Sequence, residues 1–207
     1  MAFLSVHVQS VVGGVYFLRG VHIMEECRED LELIFEALLF AAEKHKDQRR
    51  KGADASPYIN HPIAVAFYLT KYADVLDVHV MVAAILHDTL EDTKTTTQEI
   101  EEKFGPEVLR LVQEVTDDKA LPREVRRNQQ IKTVDKRSPG AKLIRLADKV
   151  SNITDLLRAP PSNWDEKTKI DYLDWTEQVI RRIKGTNACL EQLYEEQLRK
   201  ARSKFAV

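Results

Sequence analysis

The chain has 207 residues, of which 43% are hydrophobic and 31% charged, a composition that suits one globular domain with a sizeable core. Its formal net charge of −2 supplies no basic field, so a nucleic acid polymer is not predicted as a partner. Cys27 and Cys189 are far apart and belong to no Cys/His cluster, which indicates neither a disulfide framework nor a zinc knuckle and favours a reducing, cytoplasmic compartment.

Residues 1–23 differ from the rest, because they contain no acidic residue and Arg19 is their one basic residue. Polar residues interrupt the segment too often for a membrane span, and Arg19 comes too late for a signal peptide. Residues 6–12 and 15–21 flank Gly13-Gly14 as two strands flank a hairpin turn. We expect residues 1–23 to be an N-terminal extension. It is either a β-hairpin packed on the body or on a second subunit of a homo-oligomer, or an extension without function.

The helical pattern begins just after Met24, which could also be the natural start, and residues 24–207 are expected to form a single all-α domain. The expected helices are Glu25–Gln48, Ile63–Tyr72, Val80–Thr93, a helix capped by Thr96 and broken at Gly105-Pro106, Arg123–Arg137, one that begins at Pro139, Thr168–Lys184 and Thr186–Lys204. Residues 47–62 read as a loop. Residues 123–137 are strongly charged and predict an exposed helix or a partly mobile flap.

Apolar spacing also predicts which faces are inward. In the first expected helix the inward residues are Leu31, Ile34, Phe35, Leu38 and Ala42, and in the second they are Ile63, Ala66, Phe67 and Thr70. The stretch from Val80 to Leu86 has no polar face, which is typical of a fully buried central helix.

The polar residues that end this buried stretch predict its chemistry. Side chains three or four apart share a face of a helix, so Glu91 should lie one turn beyond His87, and Asp92 one turn beyond Asp88. An unpaired carboxylate in such a place is costly and usually finds a cation. A bound metal ion is the expected partner.

Two further polar groups lie in apolar surroundings. His61 sits where the loop meets the second helix, and Asp148 lies in the middle of the apolar helix after Pro139. Together with His87 and Asp88 they form a set of two imidazoles and two carboxylates. Such a set suits manganese, iron or zinc, and on a six-coordinate ion it leaves positions open for water and substrate.

The strings RRKG, PYINHP, HDTLEDT and LADKVSNI occur in this order, and through them the chain resembles a known family. They are similar to the hydrolase domain of the RelA/SpoT alarmone enzymes, within the HD superfamily of metal-dependent phosphohydrolases. The resemblance runs from about Leu33 to the C-terminus. It extends to stand-alone small alarmone hydrolases such as the animal SpoT homologue, and it implies an HD-domain helical bundle.

The resemblance implies hydrolysis of the 3′-pyrophosphate of guanosine tetra- and pentaphosphate, the alarmones of the stringent response, to GDP or GTP and pyrophosphate. It implies one Mn²⁺ per site. By resemblance His61, His87, Asp88 and Asp148 hold the ion, while Glu91 and Asp92 orient and deprotonate the attacking water. Arg50 would stack on guanine, Lys51 would face phosphate, and Asn152 and Tyr172 would contact the nucleotide.

Other interpretations remain open on the residues alone. The same fold could act on another nucleotide such as NADPH, or bind a nucleotide without turning it over. His61 by itself could be a satisfied core residue, the charge run of Arg50 and Lys51 could simply be solvated, and Tyr172 could be core. His45 is expected to be structural.

Overall fold

The computed structural model describes residues 15–206, with side chains described for Glu25 and from Cys27 onward. The α-helices are α1 Val15–Lys44, α2 Asn60–Ala73, α3 Val78–Leu86, α4 Thr89–Asp92, α5 Thr97–Val115, α6 Arg123–Thr133, α7 Pro139–Arg158, α8 Glu166–Arg182 and α9 Ala188–Phe205. A 3-10 turn, Val134–Lys136, follows α6. Between residues 15 and 206 there is no β-strand, so the all-α prediction is confirmed.

The chain divides into two compact units, Met1–Glu32 and Leu33–Val207. In the first unit, residues 15–21 are helical, so the hairpin prediction is wrong for its second strand, and residues 6–12 lie outside the described part. Extending a helix adds one hydrogen bond for each residue fixed, whereas an isolated two-stranded hairpin is marginal in water. No proline between Val15 and Lys44 stops the helix.

Small residues form the inward face of α1 in the second unit. Ala37 and Ala41 are fully buried, whereas Phe35 is 62% exposed. The predicted inward position of Phe35 is therefore wrong, and Leu31, which belongs to the first unit, is 55% exposed. Because alanine stripes allow close helix packing, the larger side chains fall to the flanks, where Ile34 remains partly buried.

The inward face of α2 is likewise rotated from the expected one. Val65, Ala66 and Leu69 are buried, while Ile63 and Phe67 are about half exposed. Helix α2 has apolar residues on most of its faces, so the spacing was consistent with more than one inward face. Tertiary packing decides which face is buried.

The expected central helix is two helices, α3 and α4, with His87 and Asp88 at the turn between them. The expectation of one continuous helix through Thr93 is wrong. Two side chains form hydrogen bonds with backbone carbonyl groups at the end of α3. His87 Nδ1 lies 2.8 Å from the carbonyl oxygen of Ala84, and the Thr89 hydroxyl donates to the carbonyl oxygen of Leu86. Side chains that bind the carbonyls of the last turn compete with continuation of a helix.

Other elements agree with the prediction. Thr96 and Glu99 form a capping box at the start of α5, and Gly105, with a φ of 84°, kinks that helix before Pro106. Helix α7 is the centre of the second unit, where it packs against α2, α3, α5, α8 and α9. In the part of the chain that is described, no helix is long and apolar enough to cross a membrane.

Candidate functional site

The four predicted metal ligands lie together around the buried end of α3. His61 comes from the first turn of α2, His87 and Asp88 from the turn after α3, and Asp148 from the middle of α7. His61, His87 and Asp148 are buried, and Asp88 is partly exposed. The structure brings these side chains to one place, and their role as metal ligands stays a prediction.

The ligand atoms of His61, His87 and Asp88 all lie within 4.8 Å of one another, and Asp148 faces this group through His61. His61 Nε2 lies 3.2 Å from Asp148 Oδ1 and 3.6 Å from Asp88 Oδ2. His87 Nε2 lies 3.0 Å from the same Asp88 oxygen. Adjacent ligands of an octahedral ion with bonds of about 2.1 Å are roughly 3 Å apart, so these separations fit ligands of a divalent cation.

The outer nitrogens of both imidazoles are occupied. His61 Nδ1 is 2.9 Å from the Ser151 hydroxyl, and His87 Nδ1 is 2.8 Å from the carbonyl oxygen of Ala84. For His87 this requires a proton on Nδ1, so Nε2 faces the cluster and offers its lone pair when the imidazole is neutral. That Nε2 is buried and has no well-directed hydrogen bond. A buried imidazole nitrogen prepared in this way fits a metal ligand.

Charges in the cluster also favour a bound cation. Burial alone would lower the pKa of His87, but the neighbouring Asp88 carboxylate raises it to about 9. Burial would raise the pKa of Asp88, but His87 holds that pKa well below its ordinary value. For Asp148, Lys149 and His61 similarly outweigh burial and keep the carboxyl pKa well below its ordinary range. The carboxylates of Asp88 and Asp148 are thus stabilised by neighbouring positive charge, which a metal ion would supply in place of the His87 proton.

The carboxylates have partners that the sequence reasoning missed. The Tyr58 hydroxyl donates a 2.6 Å hydrogen bond to Asp88 Oδ2, and Lys149 Nζ donates one of 3.0 Å to Asp148 Oδ2. Asn152 Nδ2 donates to the other oxygen of Asp148 at 2.5 Å. All three lie inside the strings PYINHP and LADKVSNI, so the signal was present, but a tyrosine, lysine or amide does not suggest a partner of a metal ligand.

Glu91 is partly buried beside the cluster. The backbone N–H of Asp117 donates to Glu91 Oε2 at 3.1 Å, and Arg126 Nη1 lies 3.4 Å from Oε1. Burial and the nearby carboxylates of Asp117 and Asp88 raise the pKa of Glu91 to about 7. A carboxylate with such a pKa is suited to accept a proton near neutral pH.

Asp92 lies beside Glu91 on the same short helix, α4, and each of its carboxylate oxygens accepts a hydrogen bond. Gln48 Nε2 donates a 2.9 Å hydrogen bond to Asp92 Oδ2, and Lys119 donates to Oδ1. Gln48 precedes the RRKG string, and Lys119 lies in the turn before α6, so neither follows from the pattern around Asp92 itself.

A cavity of about 430 Å³ opens from the cluster. Its size is in the range of small-molecule sites. Its described lining has ten cationic side chains against seven acidic ones, which suits a ligand with several negative charges. The cationic residues are Arg49, Arg50, Lys51, Lys119, Arg123, Arg126, Arg127, Arg145, Lys149 and Arg158.

Arg50 is fixed in this cavity by α7. Its Nη2 donates to Asn152 Oδ1 at 2.6 Å and its Nε to Asp155 Oδ2 at 3.0 Å, while the guanidinium carbon lies 5.3 Å from the centre of the Tyr58 ring. Because these hydrogen bonds lie in the guanidinium plane, a planar face remains for stacking. Lys51 is exposed and also lines the cavity.

Three aromatic rings form another part of the cavity lining. The Tyr172 ring centre lies 5.4 Å from that of Trp164 and 5.6 Å from that of Trp175, and all three residues line the cavity. Burial raises the pKa of Tyr172, so its phenol stays protonated. Arg127 and Lys149 lie over Trp175, at 4.9 Å and 4.4 Å from its ring centre. Both tryptophans were missed, because Trp175 has the helical spacing of a core residue and Trp164 lies in the loop before α8.

Comparison with known proteins connects this arrangement to one family. A family model described as HD domain matches residues 37–171. The chain is 51% identical over 167 residues to the Mus musculus guanosine-3′,5′-bis(diphosphate) 3′-pyrophosphohydrolase MESH1, covering 79% of this chain and 93% of the mouse protein. The Homo sapiens protein of the same name is 50% identical over 159 residues, which cover 77% of this chain and 89% of the human one.

A solved structure has the same fold. It is described as a metazoan ortholog of SpoT that hydrolyzes ppGpp and plays a role in starvation responses, and it superposes with a TM-score of 0.79 at 42% sequence identity. The superposition covers 81% of this chain and 94% of that one.

Proposed function

This chain belongs to the HD-domain family of MESH1 and its relatives, and we propose that it hydrolyses the 3′-pyrophosphate of guanosine tetra- and pentaphosphate. Water attacks the phosphorus joined to the 3′-oxygen, and the bond between phosphorus and the 3′-oxygen breaks. The products are pyrophosphate and GDP or GTP with a free 3′-hydroxyl. The observation that carries the proposal is the cluster of His61, His87, Asp88 and Asp148 at the base of a cation-lined cavity. The relatives named as guanosine-3′,5′-bis(diphosphate) 3′-pyrophosphohydrolases support the choice of substrate.

In this proposal His61, His87, Asp88 and Asp148 hold one Mn²⁺ ion. Mixed imidazole and carboxylate ligands suit manganese, iron or zinc, and the family resemblance favours manganese among them. A divalent ion held there supplies Lewis-acid chemistry, which polarises a phosphoryl oxygen and lowers the pKa of water from 15.7 to about 7.

Glu91 and Asp92 manage the proton of the attacking water. Glu91 is the base, because its raised pKa lets it accept a proton near neutral pH, and Asp117 and Arg126 hold both of its oxygens. Asp92, fixed through both oxygens by Gln48 and Lys119, orients the water with its carboxylate. The proton ends on the 3′-oxygen that leaves.

The cavity residues bind the nucleotide in this proposal. The guanine stacks on the free face of the Arg50 guanidinium, which Asn152 and Asp155 hold in place. Lys51 faces phosphate, and Tyr172 bounds the nucleotide from the aromatic side of the cavity. Asn152 thus serves both the guanidinium and the Asp148 carboxylate.

We further propose that residues 24–207 form the hydrolase domain and residues 1–23 an extension, and that the protein acts in the cytoplasm in a stringent-type response, as a monomer or a homo-oligomer. To test this division, residues 24–207 and the full chain are produced with the same tag, and their turnover of ppGpp is compared. Equal turnover by both would support it, and a large loss in the shorter chain would contradict it.

Substrate choice is tested by comparing turnover of ppGpp, pppGpp, NADPH and GTP by one preparation with Mn²⁺. We expect the first two to be hydrolysed with the highest kcat/KM. A preference for NADPH would contradict the proposed substrate and would indicate an HD-domain phosphatase that acts on another nucleotide. Binding without turnover of any of them would indicate a sensing module, and in that case Glu91→Gln would change nothing.

A further inference from the structure

A chain of hydrogen bonds runs from His45, just after α1, to the Asp92 carboxylate. His45 Nδ1 lies 2.6 Å from Gln48 Oε1, and Gln48 Nε2 donates to Asp92 Oδ2 at 2.9 Å. Since the Gln48 amide nitrogen faces the carboxylate, its oxygen faces the imidazole, and this oxygen can only accept. His45 must therefore carry its proton on Nδ1.

The same imidazole also supports the metal cluster through Tyr58. The His45 and Tyr58 rings are stacked, with centres 4.7 Å apart and planes 24° from parallel. The Tyr58 hydroxyl donates to Asp88 Oδ2 at 2.6 Å. One buried ring thus contacts the partners of two carboxylates in the site, Asp92 and Asp88.

Stability alone does not explain a histidine at this position. His45 is 2% exposed, and among the described residues its Nε2 has no hydrogen-bond partner. A buried polar atom without a partner destabilises the folded state, and a phenylalanine ring would stack on Tyr58 without that cost. Residues that sacrifice stability in this way are typical of functional sites.

We propose that His45 and Gln48 are positioning residues of the hydrolase site. The Nδ1–H of His45 fixes the Gln48 amide, and the amide fixes Asp92 Oδ2 toward the attacking water. Neither side chain reacts, since each acts through Asp92 or Tyr58. The inference rests on the proposed function, in which Asp92 orients the water, and it gives His45 a role beyond the structural one expected from the sequence.

Three variants separate positioning from packing. His45→Phe keeps a ring against Tyr58 and removes the donor, Gln48→Met removes the amide, and His45→Asn places an amide N–H near the position of Nδ1. We expect kcat to fall at least about tenfold in the first two, while KM stays within about twofold and Mn²⁺ affinity is unchanged. His45→Asn should recover part of the lost kcat. The matched control is Lys46→Gln, at an exposed position of the same segment, which should match the wild type.

A measurement without turnover keeps this inference distinct from the proposed function. ¹⁵N chemical shifts of the His45 ring report its tautomer, and the Gln48 side-chain amide resonances should move in His45→Phe but not in Lys46→Gln. The positioning role is supported if Nδ1 of His45 is protonated in the wild type. It also requires that His45→Phe has a reduced kcat and a Tm at or above the wild-type value. A protonated Nε2, an unchanged kcat, or a kcat loss that follows a loss of Tm would overturn it. Wild-type turnover of ppGpp separately tests the reaction itself.

Discussion

Tyr58 donates its hydroxyl hydrogen to Asp88 Oδ2, the oxygen that lies 3.0 Å from His87 Nε2. Burial and the Asp88 charge raise the pKa of Tyr58, so the phenol is protonated and remains a donor at neutral pH. Groups that orient a metal ligand in this way change metal affinity when they are removed. Tyr58 therefore belongs to the proposed metal site although it is no ligand.

Tyr58→Phe should weaken Mn²⁺ binding by about tenfold or more, because Asp88 loses the partner that fixes its orientation. Isothermal titration of metal-free protein with Mn²⁺ measures this. Tyr68→Phe is the matched control, since the Tyr68 hydroxyl has a long contact of 3.5 Å to Thr154 away from the cluster. Equal Kd values for Tyr58→Phe and the wild type would contradict the role of the hydrogen bond.

The rate of hydrolysis should rise with pH as Glu91 loses its proton. Its pKa of about 7 places the acid limb of kcat at or below that pH, because a bound cation would stabilise the carboxylate further. Glu91→Gln should lower kcat by about 10²–10⁴-fold and remove the limb. If the wild-type kcat did not change as the pH rises towards about 7, Glu91 would not be the base.

The same residue should cost stability above neutral pH. Because the folded-state pKa of Glu91 is raised above its ordinary 4.5, the folded state binds more protons than the unfolded state between 4.5 and about 7, and stability falls as pH rises through that window. Glu91→Gln removes this cost.

We expect Glu91→Gln to raise the Tm of metal-free protein by a few degrees at about pH 8 and by less at about pH 5. Thermal unfolding at both values measures the difference, with Glu101→Gln, an exposed residue on α5, as the control. If the variant were no more stable at the higher pH, the raised pKa of Glu91 would be wrong.

Gly52 should be required for the position of the Arg50 loop. A Cβ at residue 52 would lie 2.6 Å from the carbonyl oxygen of Ala159, at the end of α7, so any side chain pushes the loop away. Gly52→Ala should raise KM for ppGpp several-fold and destabilise the protein by about 1–3 kcal/mol. Steady-state kinetics and denaturant unfolding measure both.

The control for this change is Ala53→Ser at the exposed neighbouring position. A Gly52→Ala variant with wild-type KM would show that Arg50 and Lys51 do not depend on the close contact with α7.

The sequence was most informative where a residue type can do only a few things. His61, His87, Asp88 and Asp148 stood out because charged or imidazole groups are rare in apolar surroundings, and the structure brings them together. Spacing failed where several faces were apolar, as on α2, and where side-chain hydrogen bonds ended a helix at His87. These outcomes depend on contacts between distant parts of the chain.

The supporting residues of the site were harder to foresee for the same reason. Tyr58, Gln48 and Lys149 are common in loops and helices, and only the fold shows that they contact the carboxylates. Arg126 belongs to the strongly charged residues 123–137, which the sequence predicts only as exposed or mobile, and Lys119 lies in the turn before them. A local pattern does not reveal which charge such residues meet.

The proposed release of pyrophosphate from ppGpp requires one divalent ion held by His61, His87, Asp88 and Asp148. Chelator-treated protein should be inactive. Addition of Mn²⁺ should restore activity at one ion bound per chain, and ³¹P NMR should show pyrophosphate and GDP in equal amounts. Asp148→Ala should lose both the bound ion and the products. Release of orthophosphate, or full turnover by metal-free protein, would contradict metal-dependent release of pyrophosphate.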